Sequence, residues 1–498
     1  MAEDQTHYGP NTTLGVQQLF IGGRYRPGTA EETFETLNPA TNHVICEVDM
    51  ASPEDVEAAV EAAQEAFLTW STTPARERAK VLLRAAAILR ERNGELARLE
   101  TLDTGKPIAE TAEVDVITGA EMLEYYAGLA PAIHGEHHDF GPDAFAMVRR
   151  EPLGVCAGIG AWNYPIQIAL WKSAPALACG NTMIFKPAEL TPLSALKLAE
   201  IYLEAGLPPG AFNVVQGDGR VGQLLSRHPG IAKISLTGEV GTGRKVMADA
   251  AQTLKGVTLE LGGKSPLIVF DDADFDGAVD SAMSANFYSA GEVCSNGTRV
   301  FVQRRIYRRF LESLEDKVAR IPLGDPFDPA TKIGALISAG HLEKVMGHIE
   351  AARRSNALHV VGGHRPEDPT LAAGNFVHPA VFAECTDDMS FVRDEIFGPV
   401  MAVLPFEEEH EVVARANHTP FGLAGAVFTT DFARAHRVAN AMQAGTVWIN
   451  DYNVTPPEVP FGGHKQSGVG RENGLETIGH FTQTKTIYAN LGKVAPYF

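Results

Sequence analysis

The chain has no CxxC pair: its five cysteines, Cys46, Cys156, Cys179, Cys294 and Cys385, are odd in number and scattered. That excludes a disulfide framework and a zinc knuckle. Positive charge is short as well, with 42 Lys and Arg against 62 Asp and Glu and a formal net charge of −20. Nucleic acid and anionic membranes need clustered basic residues, so neutral or cationic partners are expected instead. No apolar run reaches the roughly 20 residues of a membrane span. The most apolar stretch, from Gly154 to Gly180, is broken by Asn163, Pro165, Gln167 and Lys172. Met1-Ala-Glu-Asp-Gln lacks the basic and apolar regions of a secretory leader, and the expectation is a cytoplasmic protein.

What is present is enough apolar residue for two or three domains: 498 residues, 45% hydrophobic. Ser52-Pro53-Glu54-Asp55 predicts a helix start, with a hydroxyl cap, Pro in the first turn and acids beside the helix dipole. Val56, Ala59, Val60, Ala63 and Phe67 then repeat at helical spacing, and Val81 to Leu99 continues in the same style. The start therefore reads as largely α-helical. From residue 154, short apolar runs alternate with helical stretches: Gly154–Ile159, Thr182–Lys186, Phe212–Gln216, Ala232–Leu236, Val257–Leu261 and then Pro266–Phe270. This rhythm predicts a doubly wound parallel sheet, with helices such as Leu193–Ala205 and Gly241–Ala251 and with ligands at the carboxyl ends of the strands. A second α/β segment runs from about Asp271 to Ala444, and Glu407-Glu408-Glu409 reads as a solvated loop.

Four segments carry candidate chemistry. Cys294 lies between Gly291 and Gly297 just after a helical run, where a substrate can reach a thiol; a lone free Cys is also commonly a small buried hydrophobe. Glu260 ends a strand before Gly262-Gly263, placed as a general base if buried and as an ordinary surface acid if not. Asn163, before Tyr164-Pro165, is either an oxyanion donor or the cap of the helix that Pro165 begins. Thr237-Gly238-Glu239-Val240-Gly241 joins a strand to a helix, the position of a dinucleotide pyrophosphate, but lacks the GxGxxG order.

Together these segments resemble the aldehyde dehydrogenase superfamily over nearly the whole chain. The resemblance rests on motifs in the family's order: Trp162-Asn163, Phe185-Lys186-Pro187-Ala188-Glu189, Thr237-Gly238, Leu259-Glu260-Leu261-Gly262-Gly263-Lys264, Gly291-Glu292-Val293-Cys294, Glu395-Ile396-Phe397-Gly398-Pro399 and Pro460-Phe461-Gly462-Gly463. It implies an α/β fold: a Rossmann-type NAD-binding domain (1–125 and 147–260), an α/β catalytic domain (261–450) and small β oligomerisation strands (126–146 and 475–498). It also implies a homo-dimer or homo-tetramer. The implied roles are Cys294 as nucleophile, Glu260 as general base, Asn163 with the Cys294 backbone N–H as oxyanion hole, and Lys172 with Glu472 as proton relay. For the cofactor, NAD, the resemblance implies contacts from Ile159, Trp162, Lys186, Glu189, Gly238, Glu239, Leu261, Glu395 and Phe397. A carboxylate at Glu189 accepts ribose hydroxyls and repels a 2′-phosphate, which favours NAD over NADP. Glu239 departs from the family, which commonly has Ser there, and an acid beside a pyrophosphate is electrostatically awkward.

Closer resemblance is to betaine aldehyde and 4-trimethylaminobutyraldehyde dehydrogenases, through Gly158-Ile-Gly-Ala-Trp-Asn-Tyr-Pro165, Trp171-Lys-Ser-Ala-Pro-Ala-Leu177 and Cys294-Ser-Asn-Gly-Thr-Arg-Val300. It implies a small cationic aldehyde as substrate, betaine aldehyde first, with 4-trimethylaminobutyraldehyde or another ω-aminoaldehyde as the alternative. A trimethylammonium group is best held by aromatic faces, and Tyr164, Trp171, Tyr288, Tyr452 and Phe461 are the candidate box; the same residues at helical spacing also suit a core. A phosphorylating enzyme would want a His beside Cys294, and none flanks it; an enzyme for anionic semialdehydes would want a free cation, and Arg299 lies in an expected strand. From another class, a silent NAD-binding structural protein would not need Cys294, Glu260 and Asn163 together. His134 to Asp139 is turn-like, with an adjacent His pair that shares no helix face, and no metal site is expected.

Overall fold

The computed structural model describes residues 8–494. The sequence's first seven residues and the last four, which end the 475–498 segment, lie outside the described residues. The helix announced by Ser52 runs over Pro53–Trp70. Ser52 Oγ accepts the Asp55 N–H (3.1 Å) while the Asp55 carboxylate accepts the Ser52 N–H (3.1 Å), so two amides at the helix start are satisfied reciprocally. Its apolar stripe, Val56, Ala59, Val60 and Ala63, is buried as the spacing predicts. The start is less helical than expected, because the strands Leu19–Ile21, Arg24–Arg26, Thr33–Leu37 and Val44–Asp49 precede this helix. Leu19–Ile21 is buried but only three residues long, and the other three are short and largely exposed, which leaves little apolar periodicity to read.

Two large sheets organise the molecule. The first orders its strands as 468–469, 256–261, 233–238, 155–159, 182–186, 212–214, 19–21 and 24–26, and its central five are parallel. Val155–Ile159 lies between Thr182–Lys186 and Lys233–Gly238, so the winding reverses beside it. Such a switch point leaves a crevice at the carboxyl ends, because consecutive connections depart to opposite sides. Pro266–Val269 does not continue this sheet. It pairs with Arg299–Gln303 and Ala424–Phe428 at the centre of the second, seven-stranded sheet. A fully apolar strand carries no mark of which sheet it joins. Helices Val116–Leu129 and Pro165–Ala178 pack closely where Gly119 meets Leu170, with no room for a Cβ.

A third sheet joins Thr482–Asn490, Ala144–Pro152 and Glu136–Asp139. The His137-His138 segment is thus a strand and not a turn, and its four residues are exposed. Glu407 to Glu409 is likewise no simple loop: Glu408 caps the helix Glu409–Asn417, where acids complement the dipole. No helix among the described residues is long and apolar enough to cross a membrane. Replacing Ser52 with Ala removes one half of the reciprocal cap, at a cost of about 1 kcal/mol. Amide exchange in the first turn at residues 54–56 should then accelerate about fivefold, with Ser52→Thr close to wild type; unchanged exchange in the Ala variant would show the cap to be dispensable.

Candidate active site

A cavity of about 680 Å³ opens at the switch point. Ile159, Lys186 and Leu236 reach it from three parallel strands, and Gly238, Glu239 and Leu261 line it where strands give way to loops and a helix. Thr237 Oγ1 is buried there without a partner, at the start of helix Val240–Ala250, whose unpaired amides favour an anion. Lys186 is buried, donates to the Pro187 and Gly217 carbonyls (2.8 and 2.5 Å), and stands 3.7 Å from the half-exposed Glu189 carboxylate. Donor and acceptor side by side suit a ribose diol. This donor set, with the helix N-terminus, fits a dinucleotide such as NAD. Glu239 is exposed on the same wall; it makes no cap bond and accepts only from Thr242 Oγ1 (3.3 Å).

At the other end of the cavity stand Trp162, Phe397 and His341. Trp162 meets Phe397 edge to face with ring centroids 5.2 Å apart, and His341 at 5.3 Å. Glu395 accepts the Gly263 N–H (3.0 Å) and lies against Gly262, where any side chain would collide with it. Burial raises its pKa, partly opposed by that N–H.

Cys294 reaches the cavity from a strained loop. After helix Phe275–Phe287, Ser289 (φ 49°), Ala290 (φ 51°) and Gly291 (φ 77°) are successively left-handed. Such strain persists only where neighbours over-determine it. Glu110 accepts from Ser289 N and Oγ (3.2 and 2.8 Å), Asn296 Nδ2 donates to the Gly291 carbonyl (2.9 Å), and Tyr452 Oη donates to the Ser295 carbonyl (2.8 Å). Asn163 Nδ2 donates to the Glu292 carbonyl (2.9 Å), two residues before the thiol. Asn163 therefore does not cap the helix: Tyr164 holds that position without a side-chain bond. Lys106 Nζ fixes this corner from behind, bonded to the Asn163 carbonyl (3.2 Å) and to Asp115, and 3.6 Å above the Tyr164 ring. Burial pushes the Cys294 thiol up to about 12, and the charges of Glu260 and Glu395 push the same way. A thiol so placed is neutral at pH 7 and needs a base.

Glu260 is that kind of group. It is buried at 5% exposure, beside the thiol, and neither carboxylate oxygen has a partner. Gly462 is obligatory next to it, because a Cβ there would lie 2.5 Å from Glu260 Oε1. Burial first, then Glu472, holds its pKa well above the usual carboxylate range, opposed by Lys172 and Arg471. Glu472 accepts from Lys172 Nζ (2.5 Å) and Ser235 Oγ (2.9 Å), and its second oxygen is also buried and unpartnered.

The five aromatic candidates do not form one closed box. Trp171 meets Phe461 at 5.6 Å, while Tyr452 packs on Trp448 and on the Cys294 loop. Tyr164 has one face covered by Lys106 and its hydroxyl on Ser289 Oγ (3.1 Å). Tyr288, its hydroxyl unpartnered, lines a second cavity of about 460 Å³ with Glu110 and Glu113. Lys106, Glu110 and His341 carry little sequence signal: Gly105-Lys106-Pro107 reads as a turn, and a His near a helix start reads as surface.

The Aldehyde dehydrogenase family model matches residues 25–487. A putative aldehyde dehydrogenase from Burkholderia cenocepacia is 40% identical, with a TM-score of 0.95 over 97% of this chain and 99% of that one. Betaine aldehyde dehydrogenase from Staphylococcus aureus, solved in complex with NAD+, is 40% identical with a TM-score of 0.94 over 97% of each chain. An aldehyde dehydrogenase from Bacillus cereus, as an E194S mutant, is 41% identical with a TM-score of 0.93 over 95% of this chain and 96% of that one.

The raised thiol pKa has a direct consequence. Because only the thiolate is alkylated, the iodoacetamide reaction of Cys294 should keep accelerating with pH beyond 9, where a free cysteine of pKa about 8.5 levels off. Rates are read by peptide mapping against Cys294→Ala; a plateau below pH 9 would contradict the burial and charge effects described.

Proposed function

The chain belongs to the aldehyde dehydrogenase family, and on that premise we propose that it oxidises a small cationic aldehyde, betaine aldehyde first, to the carboxylic acid with NAD. The observation that carries the substrate reading is the aromatic surface at the thiol loop, where Trp171 and Phe461 meet edge to face at 5.6 Å and Tyr452 bonds the Ser295 carbonyl next to Cys294. A quaternary ammonium donates no hydrogen bond and is recognised by π faces and negative field. The likeness to the Staphylococcus aureus betaine aldehyde dehydrogenase supports the same class. The alternative within it is 4-trimethylaminobutyraldehyde or another ω-aminoaldehyde.

In this reading, Glu260 takes the proton of Cys294 and the thiolate attacks the aldehyde carbon. Asn163 Nδ2 and the Cys294 N–H hold the oxyanion of the resulting thiohemiacetal. Bound NAD supplies the hydride acceptor that the oxidation requires. Lys186 and Glu189 hold the adenosine ribose, the turn at Gly238 the pyrophosphate, and Trp162, Glu395 and Phe397 the reacting end. Loss of hydride from the adduct leaves a thioester on Cys294. Lys172 with Glu472 relays the first proton away from Glu260, which then draws a proton from water as the water attacks the thioester; the acid departs and the Cys294 sulfur takes a proton back. Tyr488 of the third sheet (62% exposed) packs on Phe140 (60%), which follows the strand Glu136–Asp139, and this exposed apolar patch supports a homo-dimer or homo-tetramer.

Betaine aldehyde should be preferred over 3,3-dimethylbutanal, its neutral near isostere, by roughly tenfold in kcat/KM, the worth of a partly desolvated cation–π contact. Equal values would remove the cationic reading and leave the family assignment intact. Cys294→Ala should form no NADH with either aldehyde, which also separates an enzyme from a silent NAD-binding protein; retained activity would remove the nucleophile.

A further inference from the structure

His341 stands third in helix Ala339–Arg353, at the junction of three parts of the site. Its ring touches Trp162 edge to face, next to Asn163. Its Nε2 lies 2.6 Å from the Phe397 carbonyl and 3.6 Å from Glu292 Oε1, on the Cys294 loop. Burial pulls the imidazole down to about 4, so at neutral pH it carries a single N–H, which the carbonyl contact places on Nε2.

The segment that His341 grips is itself strained. Phe397 is left-handed (φ 60°), a conformation that an aromatic residue holds only under constraint. The next residue, Gly398, is wedged between this helix and the thiol loop. A Cβ on Gly398 would meet Val345 of the helix at 2.6 Å, and a Cβ on Gly291 would collide with the Gly398 backbone. The Gly398 and Pro399 carbonyls accept the Val400 and Ala380 N–H groups (2.7 and 2.8 Å), and the bond from the helix to Phe397 is that of His341. Glu292 closes the joint by accepting the Ile337 N–H (3.0 Å) just before the helix.

We propose that His341 is a positioning residue: its Nε2–H latches the Phe397 carbonyl and holds Phe397 and Glu395 at the reacting end of the NAD site. It rests on the placement of the reacting end of NAD beside Glu395 and Phe397. Without the latch, Phe397 relaxes out of the left-handed region and Glu395 loses its place on Gly262 and Gly263. The thiol loop keeps its own restraints from Glu110, Asn296 and Tyr452. The cofactor end should therefore fail while the thiol stays reactive.

The test compares His341→Leu with His341→Gln, whose amide restores an N–H donor. NAD affinity is measured by calorimetry, and acylation of Cys294 by p-nitrophenyl acetate without NAD. The Leu variant should bind NAD at least tenfold more weakly and raise KM for NAD to match, with acylation within twofold of wild type; the Gln variant should return to within threefold. Unchanged NAD affinity in the Leu variant, a parallel loss of acylation, or a Gln variant no better than Leu would each overturn the latch. Glu395→Gln is the control. If it alters NAD affinity or NADH formation while His341→Leu does not, the latch alone is wrong; if neither variant alters them, the cofactor placement is wrong as well.

Discussion

Glu260 and Glu472 are buried together around one paired lysine. Lys172 is fully buried and bonded to Glu472, and with Arg471 it only partly offsets the two buried carboxylates. Two such acids cannot both ionise cheaply, and the one without partners, Glu260, has its pKa raised. The neighbouring thiol is raised by the same burial. Neither group is reactive alone at neutral pH, and their adjacency lets one proton serve both. The glycines follow from this constraint: Gly462 makes room for the Glu260 carboxylate, and Gly262 for Glu395.

The constraint extends into the loop that carries the thiol. Ser289 and Ala290 hold left-handed conformations that cost energy. Glu110, from a different part of the chain, secures Ser289, and the same carboxylate lines the second cavity. Lys106 does the matching work beneath Asn163 and Tyr164.

Much of this was legible in the sequence, for identifiable reasons. Strands Thr182–Lys186 and Gly256–Leu261 are built on short apolar runs bounded by turn residues, so they emerge nearly to the residue. The helix at Ser52 declares its own cap. The N-terminal hairpins stay hidden because their strands are short and half exposed, and Pro266–Val269 because nothing local distinguishes one sheet's centre from another's. Glu260 and Asn163 were ambiguous on local sequence, since burial and partner choice are set by residues hundreds of positions away. The aromatic box illustrates the limit: spacing placed Tyr164 and Trp171 on one face, but not Lys106 against the Tyr164 ring. His341 acts through a backbone carbonyl, which leaves no trace in residue type.

The covalent intermediate tests the account most directly. The enzyme would be mixed with NAD and aldehyde, quenched in acid during the first turnovers and mapped by peptide mass spectrometry. The account predicts an acyl group on Cys294, two hydrogens lighter than the added aldehyde, and no such adduct when Cys294 is replaced by Ala. NADH formed with Cys294 unmodified throughout would contradict it.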